Sequence, residues 1–279
     1  MHNDFAPTKL TSLFIDTYVE HEPERLHTLL AILSDQCHLL INLYIKLARV
    51  PGQLKLIPTN QITFDTLRPV LSFKNLTTFE VLHKYPVNIT LEEIEELASR
   101  WPSLRSLSLN EEPLVMSNFT LDLRALVPFA RHCPKLYRLG LFMDATTARI
   151  HPTQELKPFT ALRFLSVGTP QARDPDAVAA FLSHMCPLEC KLDVSITWTT
   201  FSSRSCRELN NVLWEISRRS THWKKVLDHL PILIQPYGEK EKSKALQEEV
   251  EDLSSPLLTT HDSCIIVIDW ADCYSLKSI

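Results

Sequence analysis

Glycine is scarce in this chain, with four in 279 residues, so folds that cradle phosphate on glycine-rich loops start without their usual material. Neither G-x-G-x-x-G nor G-x-x-x-x-G-K-[ST] occurs, and G-x-S-x-G and H-E-x-x-H are absent as well. No motif of these kinds sets a nucleophile, a metal or a phosphate in a defined geometry. No C-x-x-C pair is found among the seven scattered cysteines, and that odd number argues for reduced thiols in a cytoplasmic or nuclear setting. No apolar run approaches the roughly 18 residues of a membrane span, and the opening MHNDFAPTKL lacks a signal-peptide plan. Basic residues are interleaved with acidic ones at a net charge of −4, which argues against a nucleic-acid partner. The expectation is a non-enzyme without cofactor or metal, with neither nucleic acid nor membrane among its partners.

What the chain does contain is apolar surface, 44% of its residues, and a phrase that returns. Leu10-Thr-Ser-Leu13-Phe-Ile15 is followed by copies beginning at Leu40, Leu76, Leu104, Leu136 and Leu162, each reading L-x-x-L-x-L or a close variant. A degenerate seventh copy starts at Glu189. Successive starts lie 26 to 36 residues apart, room for one strand and one helix per unit. The second and third apolar positions of each phrase alternate, so they point to one face of a strand.

Between the phrases the spacing turns helical. Thr90-Leu-Glu-Glu93 is a capping box opening a helix with Leu91, Ile94, Leu97, Ala98 and Trp101 on one face. Asp174-Pro175 opens another, with Asp174 as N-cap, and a third runs from Pro23 to about Cys37. Three helices stop alike, at Trp101-Pro102, Cys133-Pro134 and Cys186-Pro187, each just before the next strand. Pro69 and Pro128 fall inside helical patterns, so the helices over 64–73 and 121–133 should be short, kinked or 3-10.

The expected fold is α/β: a solenoid of about seven irregular units over 1–200, a curved parallel sheet with outer helices. Residues 201–234 read as a helical C-terminal cap in two helices. Residues 235–279 read as a charged linker and a strand-like segment, Cys264-Ile-Ile-Val-Ile268. Residues 1–9 look too short to cap the first strand's edge.

The L-x-x-L-x-L units, the W/C-P-x-L junctions and the phrase Leu67-Arg-Pro-Val-Leu-Ser-Phe-Lys-Asn-Leu-Thr77 resemble the repeat halves of fungal F-box-like proteins with leucine-rich repeats. The likeness spans about Leu10 to Trp198. It implies a leucine-rich-repeat-like solenoid that selects a protein substrate for a cullin-type ubiquitin ligase, provided an F-box lies upstream; no L-P-x-E-like opening precedes the first strand here. The other readings are a stand-alone scaffold with no ubiquitin role and, more weakly, an α/β enzyme with unrecognised motifs.

A recognition role moves attention to the side chains facing away from the core. On the concave strand rows the candidates are Phe14, Tyr44, Glu80, Ser108, Arg138, Phe142, Phe164 and Asp193, with the aromatics as anchors. Ser108, read as surface, should tolerate alanine. Other constellations have plainer explanations. His184, Cys186 and Cys190 could ligate a metal, but they read as a helix end and buried thiols. Asp174 and Asp176 read as a cap, and His261 to Cys264 are sequence neighbours of the kind that seldom form a catalytic set.

Overall fold

The computed structural model describes residues 9–17, 23–47, 61–114, 119–146, 156–196, 207–248 and 265–268, with side chains left out for 207–212, 235–248 and 265–268. The elements alternate. Strand β1 (Ser12–Thr17) leads to helix α1 (Pro23–Gln36), and β2 (Asn42–Leu47) to α2 (Phe64–Leu67), which tightens into a 3-10 turn at Arg68–Ser72. Strand β3 (Thr78–Leu82) leads to α3 (Leu91–Arg100), and β4 (Ser106–Leu109) to a 3-10 turn at Leu123–Ala125 continued by α4 (Leu126–His132). Strands β5 (Arg138–Leu141) and β6 (Phe164–Ser166) precede α5 (Pro175–Met185), β7 (Lys191–Asp193), the long α6 (Arg207–Glu248) and β8 (Ile265–Ile268).

All strands belong to one sheet in the order β7-β6-β5-β4-β3-β2-β1-β8, and every pairing is parallel. The α/β class and the parallel sheet are as expected. Chain order is sheet order from β1 to β7, so each strand pairs with the strand before and after it in sequence. The recurring phrase is also the register: Leu13, Leu43, Phe79, Leu107, Leu139, Leu165 and Leu192 stand side by side. At most 1% of the surface of the first six is exposed, while Leu192 on the last unit is only partly buried.

One carbonyl per unit sets this register. Thr11 O accepts from Ile41 N and Asn42 N at 2.7 and 3.0 Å, and the same double acceptance recurs at Ile41, Thr77, Arg105 and Tyr137. The helices close the inner side of the sheet. α1 packs beside the Arg68–Ser72 turn, α3 beside α4, α4 beside α5, and α5 beside α6. Their buried residues (Leu30, Ile94, Leu97, Phe129, Leu182 among them) join the strand leucines in one core.

The local signals hold. Thr90 and Glu93 form the capping box, with Thr90 N donating to Glu93 Oε2 at 2.8 Å. Asp174 Oδ1 accepts from Ala177 N at 3.0 Å with Pro175 at the first helical position. Trp101, Cys133 and Cys186 are the C-caps before their prolines, and both proline-interrupted helices are short with 3-10 turns. Trp101 is buried and meets Phe79 edge-on at 5.6 Å.

The C-terminal region departs from expectation in two ways. Instead of two helices ending near 234, α6 is a single helix of 42 residues. Pro231 and Pro236 lie within it; each removes one helical donor, but the Glu-, Lys-, Ala- and Gln-rich stretch beyond them has high helix propensity and carries the helix onward. The β1 edge is not bare either: β8 lies parallel beside it, Ser12 opposite Ile265 and Ile15 opposite Ile268. Cys264, part of the same strand-like reading, is outside the described residues.

Candidate protein-binding face

The sheet face opposite the core has two characters. Over β1–β3 burial alternates strictly, and the outward side chains pair sideways from strand to strand. Asn42 Nδ2 donates to Ser12 Oγ at 2.9 Å, Lys46 Nζ reaches Asp16 Oδ2 at 3.1 Å, and the rings of Phe14 and Tyr44 lie 6.1 Å apart, tilted by 44°. These residues are half-buried. Such pairs each contribute roughly 0.2–1 kcal/mol, so this surface is ordered without being closed.

Over β4–β6 the alternation fails at the strand ends, because the chain after β4 folds back over the sheet. Asn110, wholly buried at φ 52°, makes the turn. This left-handed geometry suits asparagine better than most residues. Its side chain fixes the neighbouring unit, accepting at Oδ1 from His83 N at 3.1 Å and donating from Nδ2 to Tyr85 O at 2.6 Å. The turn throws Glu111 across the outer face of β4 and β5, where its carboxylate accepts from Ser108 Oγ and lies 3.7 Å from Arg138 Nη2.

Glycine is spent on this crossing. A Cβ at Gly140 would come within 2.7 Å of the Glu111 carboxyl carbon, and one at Gly168, itself at φ 63°, within 2.3 Å of Glu111 O. Two of the chain's four glycines thus make room for one glutamate.

The expected contact residues divide accordingly. Phe14, Tyr44, Glu80 and Phe164 are half-buried, and Arg138 and Asp193 exposed, all on the outer face. Ser108 and Phe142 are corrections. Ser108 is 2% exposed and bonded to Glu111, and Phe142 is 6% exposed and stacked on Phe119 at 4.6 Å. Glu111 covers the first and the Phe119 ring stacks on the second, so neither is an open anchor.

Reading only the outward rows misses the residues just before each strand. Arg105, Tyr137 and Arg163 are the first variable positions of their phrases, and a signal for them exists. The two residues inside L-x-x-L are Thr-Ser, Ile-Asn and Thr-Thr in the first three copies, but Arg-Ser, Tyr-Arg and Arg-Phe in the next three. A shallow cavity of about 650 Å³ opens there, lined by Arg105, Ser106, Lys135, Tyr137 and Arg138 together with Pro134 and Ala161.

The other candidate chemistry resolves into structure. Asp176 pairs with His229 Nδ1 at 2.7 Å, His184 Nδ1 lies 2.7 Å from Ala180 O, and no metal-ligating cluster is assembled among the described residues. Cys37, Cys133, Cys186 and Cys190 are free thiols. Burial pushes the Cys133 thiol up to about 12, so it stays protonated at neutral pH. A hydrogen bond shared with Cys190, together with burial, pushes the pKa of the Cys186 thiol up, and the same hydrogen bond pulls that of Cys190 down. His261 and Cys264 lie outside the described residues. No helix among the described residues is long and apolar enough to cross a membrane. No family model matches this chain, and no curated protein matches it.

Proposed function

We propose that the chain is a leucine-rich-repeat-like solenoid acting as a non-catalytic protein-recognition module, with the outer face of its sheet as the binding surface. The observation that carries this reading is the face itself: accessible aromatic and charged side chains presented in register by consecutive parallel strands, while the helices pack on the other side of the core. A rigid sheet holds such side chains at fixed spacing, which lowers the ordering cost of association, and aromatics ringed by polar groups are the usual energetic anchors. Free, buried thiols support a cytoplasmic or nuclear location.

The link to a ubiquitin ligase comes from the resemblance of the repeats and predicts co-purification with cullin-ligase subunits of the chain as the cell makes it. Recovery of other partners without those subunits would leave recognition and remove the ligase role. For the binding face, a photo-crosslinking amino acid is placed at Phe14, Tyr44 or Phe164, and at Ser99, which is exposed on α3. Partners should be captured from the sheet positions and not from Ser99; capture from the helix side alone would overturn the assignment.

A further inference from the structure

The margin of the sheet at the starts of β4–β7 gathers cations and aromatic rings. The chain as a whole is acidic at −4, yet Arg105, Lys135 and Arg138 converge on the cavity that opens beside these strand starts. All three are exposed. Arg138 is steadied from behind by Glu111 at 3.7 Å; Arg105 and Lys135 have no ion-pair partner among the described residues. Tyr137, 50% exposed, lines the same cavity and packs edge-on against Phe164 at 5.3 Å, and Lys191 Nζ lies over Phe164 at 5.9 Å. The nearby carboxylates are already engaged: Glu80 accepts from Ser106 Oγ at 3.4 Å, Glu111 is bound to Ser108, and Glu189 to Arg163.

We propose that this margin is the docking site for an acidic, aromatic-containing extended segment of a protein partner, its carboxylates meeting Arg105, Lys135 and Arg138 and its ring packing on Tyr137 and Phe164. The proposal rests on reading the outer face as a recognition surface and names the chemistry of the partner. Charge complementarity selects it: guanidinium groups pair with carboxylates in bidentate geometry, and cations interleaved with rings hold both charge and apolar surface. A nucleic acid is the competing occupant, disfavoured because the margin offers only a few cations and the chain as a whole is acidic at −4, whereas a phosphate backbone needs a broad basic footprint.

The test uses the full chain and a fluorescein-labelled peptide, Gly-Glu-Glu-Trp-Glu-Glu-Gly, with its all-glutamine counterpart and a hexauridylate as comparisons, read by fluorescence anisotropy. The acidic peptide is expected to bind about tenfold or more tightly than the glutamine form, and to weaken as salt rises. Arg105→Glu, Lys135→Glu and Arg138→Glu together should reduce binding by about tenfold or more, since the interaction turns repulsive. Tyr137→Ser alone should reduce it several-fold. Arg105, Lys135 and Tyr137 are exposed, so variants at these positions should match the parent by circular dichroism. Because Arg138 also faces the buried Glu111, the pair Arg105→Glu and Lys135→Glu is measured without it and should still weaken binding several-fold. Equal binding of the two peptides, or indifference to the charge reversals, would overturn the proposal, and hexauridylate binding as tightly as the acidic peptide would replace the partner class. If the peptide fails while crosslinks still form at Phe14 or Tyr44, only the acidic docking site falls and the recognition role stands.

Discussion

The first three strands and the next three are built from the same phrase and bury the same inner row, yet present different outer surfaces. Over β1–β3 the outward side chains pair laterally and stay accessible. Over β4–β6 the outer row shrinks to Ser108, Gly140 and Ser166 because Glu111 crosses it. An inner row of leucines therefore fixes the sheet, while the connections after the strands decide what the sheet shows. Where Asn110 turns the chain back over the outer face, the strand ends are covered and the strand starts remain open, and there the cations and rings collect.

Substitutions can break or sharpen this contrast. The inner row should not distinguish the regions: Leu43→Ala and Leu107→Ala should each cost about 2–5 kcal/mol in chemical denaturation, as core truncations that leave a cavity. A cost for Leu43→Ala much below that of Leu107→Ala would mean that the two regions differ in their cores and not merely in their coverings.

Gly168→Ala should be the most severe change on the covered side, at about 3 kcal/mol. It places a Cβ at positive φ and drives it against a backbone oxygen that has no rotamer to escape by. Gly140→Ala meets only the end of the Glu111 side chain and should cost less, about 1–2 kcal/mol.

Ser108→Ala removes the donor to a buried carboxylate and should cost about 1–3 kcal/mol, where a surface position would give about 0.5 kcal/mol or less. Tyr44→Ser, the matched change on the open side, should cost under about 1 kcal/mol, the size of one cross-strand ring contact. If urea denaturation gave these two the same small value, the covering role of Glu111 would be wrong.

The covered region continues into α6. Trp223 Nε1 donates to Pro170 O at 2.8 Å, and Arg219 donates to Thr169 O at 3.3 Å while also binding Glu215. Arg218 and Arg219 together hold the Glu215 carboxyl down at about 2, with the hydrogen bond from Arg218 the largest influence. Because the folded state holds this group below its ordinary value, its stabilisation is present above about pH 4.5 and is lost as the pH falls toward 2. Glu215→Gln should therefore be slightly less stable than the parent near neutral pH, by a margin that closes on acidification. Thermal melts from pH 7 to pH 2 measure it; a pH-independent difference would show that the carboxylate charge is not involved.

Much of the fold is legible in the sequence. The leucine phrase carries both strand position and register, since residues two apart share a face and identical phrases align when strands run parallel. Thr90, Asp174 and the three proline junctions mark helix ends through purely local hydrogen bonding. The full length of α6 is not legible in the same way. Proline is locally disruptive, whereas continuation past Pro231 and Pro236 depends on the helix propensity of residues 239–248 and, earlier in the helix, on Trp223, Val226, Leu230 and Ile234 being buried against the rest of the fold. The site is half legible: Phe14, Tyr44, Arg138 and Phe164 emerge from alternation, but alternation cannot tell whether an outward position is free or covered.

By itself, then, the sequence determined the inner row, the alternation and the parallel order of units, because these depend on periodicities of a few residues. Only the tertiary structure decided that Glu111 folds over Ser108 and Gly140, that Phe142 is shielded, that β8 joins the β1 edge, and that Arg105, Lys135 and Arg138 share one cavity. Each of these brings together residues of different units or of opposite ends of the chain, and such proximity is set by packing and turn geometry, to which no local pattern is sensitive.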